Sequence, residues 1–125
     1  MLLTKSQIKQ KINRLEVQKK SYERDRNSYK NSLNYANKLV NELNLGNRYL
    51  EYANSNLKQY FKIDGKLGDN GKTNLVHGEV VLIINELRKK VIPSINNNIK
   101  ILNININNLN IQINKLWRDY NRIEQ

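Results

Sequence analysis

"LNININNLNIQIN", residues 102–114, can be read with two different periods, and the choice between them decides the fold class. Leu102, Ile104 and Ile106, then Leu109, Ile111 and Ile113, alternate with polar residues as a half-buried strand does, and Asn107-Asn108 would serve as the hairpin turn between two strands. Ile and Asn are mediocre helix formers, which favours the same side. Against it, Leu102, Ile106, Leu109 and Ile113 stand four and three residues apart. That frame runs beyond the window in both directions, from Ile92, Ile95 and Ile99 to Leu116, Tyr120 and Ile123. The alternation stops at the window's edges, so the segment reads as helix.

Working upstream, Val80, Ile84, Leu87 and Val91 form another helical stripe, out of phase with the one that starts at Ile92. The step falls beside Pro93, which lacks a backbone donor and clashes with the preceding turn, so a kink or break is expected there. Residues 64–74 hold three Gly, two Asp and two Asn and read as the turn of the chain, with Gly65, Gly68 and Gly71 supplying its left-handed backbone angles. Before it, Ile8, Ile12, Leu15, Tyr22, Tyr29, Leu33, Ala36, Val40 and Leu43 fit one heptad frame, interrupted only by Lys19 and Arg26. Gly46 follows, where a C-cap or kink is expected, and Leu50, Ala53, Leu57 and Tyr60 continue the spacing.

The layout is therefore all-α: a long antiparallel helical hairpin forming one domain over residues 1–125, with arm one at about 4–63, the turn at 64–74 and arm two at about 75–124, kinked near Gly46 and Pro93. Folding about residue 69 would set Pro93 across from Gly46 and bring Lys19 near Asp119.

Composition limits the chemistry. The 125 residues contain no Cys, which excludes disulfides, thiolate metal sites and cysteine nucleophiles. The longest apolar run is Val80 to Ile84, and "MLLTKSQIKQKI" has no apolar signal core, so neither a signal peptide nor a membrane span is expected. The net charge of +11 is uneven: residues 1–62 carry 13 Lys and Arg against 5 Asp and Glu. Such a balance suits a nucleic acid, an anionic membrane surface or an acidic protein as partner, and equally a solvated basic helix face.

"GKLGDNGKT", residues 65–73, resembles a phosphate-binding loop but has five residues between Gly65 and Gly71 where that loop has four. It also follows helical rather than strand spacing, and Asn85 in "VVLIINE" stands where a metal-binding Asp would be needed. His77, the only histidine, has no companions for a zinc site or a triad and reads as a surface residue near a helix start. No catalytic residues, metal or cofactor are expected. The basic residues of arm one scatter around the helix, so specific base readout has no support. Lys19 and Arg26, beside Tyr22 and Tyr29 in the seam, read either as side chains reaching out to water or as a face built for a third helix from another protein. Ile99, Leu102, Ile106, Leu109 and Ile113 hold either the hairpin or that partner.

A basic two-armed helix with a glycine-rich bend, no cysteine and an Ile-x-x-x-Ile-x-x-Leu second arm resembles the small helical proteins associated with LXG toxins of Gram-positive type VII secretion, among them YwqH-like proteins and WXG-type hairpins. "YNRIE" at 120–124 matches the Tyr-x-x-x-acid export signal of WXG-type partners through Tyr120 and Glu124, which share one helix face. The bend has no Trp-x-Gly; the single Trp is Trp117. The resemblance implies a non-enzymatic targeting chaperone that binds the helical N-terminal domain of an LXG-type toxin, with a second small helical partner or a homodimer left open. It further implies a cytoplasmic location before export and secretion with the client. The alternative is a basic coiled coil that coats nucleic acid in a phage or chromosome context.

Overall fold

A computed structural model describes residues 2–60 and 71–123, with side chains placed for 2–52 and 76–123. Among these residues there are only helices: α1 (Lys5–Tyr60), α2 (Gly71–Glu86), a five-residue π turn (Leu87–Val91) and α3 (Ile92–Arg122). The window at 102–114 lies wholly within α3.

Helix α1 starts on a reciprocal cap. The Gln7 amide donates to Thr4 Oγ1 at 3.2 Å and the Thr4 amide to Gln7 Oε1 at 2.9 Å, so two groups that the first helical turn would leave unpaired satisfy each other. The helix then runs unbroken through Gly46. A Cβ built at Gly46 meets nothing within 4 Å, and its φ lies outside the left-handed region, so the expected cap is not formed. Glycine inside a helix costs about 1 kcal/mol against alanine, a penalty that packing on either side, at Val40 and Leu50, can outweigh.

Nor does the second arm break at Pro93. The Ile92 amide donates to the Leu87 carbonyl five residues back, with helical backbone angles at both ends of the turn. A π turn holds one residue more than an α turn. The stripe ending at Val91 and the stripe beginning at Ile92 are out of step by one residue, and the wide turn absorbs that phase step; Val80, Ile84 and Leu87 before it and Ile92, Ile95 and Ile99 after it are all buried or half-buried, while Val91 itself is exposed. The carbonyl that the Pro93 ring would strike in a continuing α-helix belongs to Lys89, inside this widened turn.

The turn expected at 64–74 lies mostly outside the described residues, and with it Gly65 and Gly68. Gly71 is not part of a turn: it is the first residue of α2. The first amides of a helix need no intrahelical partner, so weak helix formers are tolerated there. This shifts the register of the arms. A fold about residue 69 would put position 112 opposite Arg26 and position 87 opposite Glu51; Asn103 and His77 occupy those places.

Contacts gather into two compact units, residues 1–31 with 95–125 and residues 32–94. In the first, Ile8, Ile12 and Ile113 form a buried cluster bordered by Leu15, Leu116, Trp117, Tyr120 and Ile123, and Ile106 and Leu109 are also buried. In the second, the buried apolar residues among those with described side chains are Ala36, Val40 and Ile84, and Asn47 is buried at 7% exposure.

Candidate functional site

Three of the four seam residues of α1, Lys19, Tyr22 and Arg26, have partners within the chain. Arg26 Nη1 donates to Asn103 Oδ1 at 3.0 Å, while its Nε is buried without a partner. Lys19 lies 3.9 Å from Glu23 on the next turn rather than near Asp119, because the shifted register moves Asp119 toward Lys11 and Arg14. Gln18 Nε2 donates to the Tyr22 hydroxyl at 3.1 Å. Tyr29 is at the edge of exposure. Of the two roles open to the α3 stripe, Ile106, Leu109 and Ile113 take the internal one: all three are buried in the hairpin, and Ile99 and Leu102 are half-buried next to them.

Tyr120 is also engaged. Its ring meets Trp117 edge to face at 5.4 Å, and it packs on the Ile8, Ile12 and Ile113 cluster. Lys5 Nζ sits 4.7 Å from the Tyr120 ring centre and Lys9 Nζ 4.5 Å from that of Trp117, placing ammonium groups over two aromatic faces. Glu124 lies outside the described residues. The short segment of α1 before Leu15 thus fastens the end of α3 by apolar and cation–π contact together.

Each unit has a hollow lined by described residues. In the first, of about 390 Å³, Lys11, Arg14, Lys115 and Asp119 surround a floor of Leu15 and Leu116. In the second, of about 380 Å³, Asn44, Asn47, Arg48 and Glu51 of α1 face His77, Asn85 and Arg88. His77 is half-buried on the seventh residue of α2, with Nε2 2.9 Å from Glu51 Oε1, so it joins the two arms instead of pointing freely outward. Neither this contact nor the Arg26–Asn103 bond is legible without the register. No group of three or more His, Cys, Asp or Glu is gathered as a metal site among the described residues.

Large apolar side chains lie outside the core. Tyr35, Tyr49 and Tyr52 of α1, Leu82 and Ile83 of α2, and Ile101, Ile104 and Ile111 of α3 are exposed. Among the described residues no helix is long and apolar enough to cross a membrane. Comparison with protein-family models, with curated proteins and with solved structures returns no match.

Proposed function

We propose that the protein is a non-enzymatic helical partner, a targeting chaperone that binds the helical N-terminal domain of an LXG-type toxin and promotes its export by type VII secretion. The observation that supports this reading is the apolar surface left over once the hairpin has closed, on α1, α2 and α3 alike. Exposed apolar patches on a small chain are characteristic of surfaces that another polypeptide covers. A helical client would gain about 25 cal/mol for each Å² of apolar surface buried.

Tyr120 and Glu124 are the residues assigned to the exporter in this reading. Co-expression with the product of the adjacent open reading frame is expected to yield a stable complex on size measurement. Replacing Tyr120 and Glu124 together is expected to abolish export while the complex persists. Unchanged secretion of the double variant removes the motif, and a chain that purifies alone beside its neighbour removes the client. A second reading, a coat for nucleic acid, draws on the unit of residues 1–31 and 95–125, which holds 13 Lys and Arg against 5 Asp and Glu. It requires a steep loss of DNA binding as salt rises, from counterion release.

A further inference from the structure

Helix α3 carries two seams. The inner one, through Ile99, Leu102, Ile106, Leu109 and Ile113, packs in the hairpin. Moving two residues along the chain from each inner position turns about 200° around the helix, to its opposite side. The positions reached there are 101, 104, 108 and 111, continuing to 115, 118 and 122, again spaced by three and four. They are occupied first by Ile101, Ile104 and Ile111, exposed at 47%, 50% and 64%, with Asn108 among them. Lys115, Arg118 and Arg122 follow, all exposed. Ile104 and Ile111 are the residues that make the segment alternate like a strand, and in a helix they become a second ridge. A helix with apolar residues on both faces is ordinarily covered on both.

We infer that this outer seam docks an acidic amphipathic helix of another polypeptide, with apolar residues against Ile101, Ile104 and Ile111 and carboxylates against Lys115, Arg118 and Arg122. The inference rests on the reading of the protein as a helical partner and supplies that partner's chemistry. Charge selects the occupant. The only acidic residue of α3 is Asp119, and it lines the hollow with Lys11, Arg14 and Lys115, so Lys115 borders both that hollow and the outer seam while Arg118 and Arg122 belong to the seam alone. A second copy laid parallel would stack Lys115, Arg118 and Arg122 on themselves. Laid antiparallel about Asn108, it would set each Lys115 against an Ile101. Nucleic acid would use the cations but leave the isoleucine ridge uncovered. Asn108, polar within an apolar stretch, suits one register over its neighbours, as a single seam asparagine does in coiled coils.

The test uses the full chain and synthetic helices with leucine at the seam positions of one half and glutamate at those of the other, made in both chain directions, with lysine-for-glutamate twins. Fluorescence anisotropy is expected to show one glutamate helix binding and its lysine twin at least about tenfold weaker, as expected where charges complement across an interface. Binding should vanish in the Ile104→Asp/Ile111→Asp double variant, and the preference should reverse in Lys115→Glu/Arg118→Glu/Arg122→Glu. Both sets lie on the surface, so circular dichroism should be unchanged; Ile104→Asn/Ile111→Asn replaces the aspartate pair if it disturbs folding. The inference is overturned if no glutamate helix binds or if binding ignores the isoleucine substitutions. It is overturned equally if sedimentation finds a homodimer that these substitutions dissociate, or if duplex DNA is what the double variant ceases to bind. A neighbouring gene product that still co-purifies with the double variant removes this seam and leaves the proposed function standing. Binding of the glutamate helix without any such co-purification does the reverse.

Discussion

In the unit of residues 1–31 and 95–125, α1 and α3 meet through an apolar cluster with Ile12 only 1% exposed, and the ring faces of Tyr120 and Trp117 are covered by Lys5 and Lys9. In the unit of residues 32–94, the buried residues among those with described side chains are an alanine, a valine, an isoleucine and an asparagine, while Val81, Leu82 and Ile83 in the most apolar run of the chain are exposed. Both units are built from helices with the same heptad habit. The difference shows that the pattern of apolar positions sets which faces meet, whereas the size and polarity of the residues at those positions set how firmly they are held. The π turn at Leu87–Val91 lies in the second unit. It is there that the chain carries a residue its heptads do not need.

A pair of deletions puts the greatest strain on this contrast. Removing Asn107, an exposed residue of α3, turns everything after it by about 100° and takes Leu109, Ile113, Leu116 and Tyr120 off the face that meets α1. The expected loss by urea unfolding is at least about 4 kcal/mol, the scale of emptying one well-packed core position. Removing Lys89 together with Pro93→Ala takes out the extra residue of the π turn and relieves the proline clash. The stripe Val80, Ile84, Leu87 then continues into Ile92, Ile95 and Ile99 at α-helical spacing. Stability is expected to change by no more than about 1 kcal/mol. Equal losses from the two deletions would mean that the π turn does not carry the phase step.

A smaller effect comes from one substitution made at two sites. Ile12→Ala empties a position enclosed by Ile8, Ile113 and the aromatic pair, and should cost about 3–5 kcal/mol. Ile84→Ala truncates a side chain that lines the polar hollow, where water can enter the space released, and should cost about 2 kcal/mol. Urea midpoints measured on both variants check the ordering. If Ile84→Ala were the more costly, the second unit would be the firmer of the two.

Much of this was legible from the residues alone, and the failures have identifiable causes. The helix at 102–114 followed from a frame longer than the window, and the competing strand pattern was the trace of a second helical ridge. The phase step at Pro93 was visible as well, but a proline suggests a break, whereas one surplus residue can be accommodated by a wider turn. The register was placed nine residues too far along at Arg26, because the pivot was put at the middle of the glycine cluster while Gly71 already belongs to α2. Every cross-arm pair depends on that pivot, so Arg26–Asn103 and His77–Glu51 could not be found. The Thr4-Lys5-Ser6-Gln7 cap, by contrast, is a local pattern that needs no register, and it was missed because the apolar frame alone was followed at the start of α1.

The smallest effect has the opposite sign, and it bears on how firmly the second unit is held. Asn47 occupies an inward heptad position of α1, in step with Ala36, Val40 and Leu43, and its Oδ1 is buried with no hydrogen-bond partner. A buried acceptor left unpaired carries its desolvation cost of about 1–3 kcal/mol with nothing to offset it, and an apolar residue of similar shape removes that cost. Asn47→Leu is therefore expected to stabilise the protein by about 1 kcal/mol, with Ile84 gaining an apolar neighbour across the arms, and a higher urea midpoint at unchanged slope would register it. A lower midpoint would place Asn47 in a hydrated network with Asn44, Glu51, His77 and Asn85 around the hollow. Substitution at Ala36 rather than Asn47 would then be the way to strengthen the described part of the second unit.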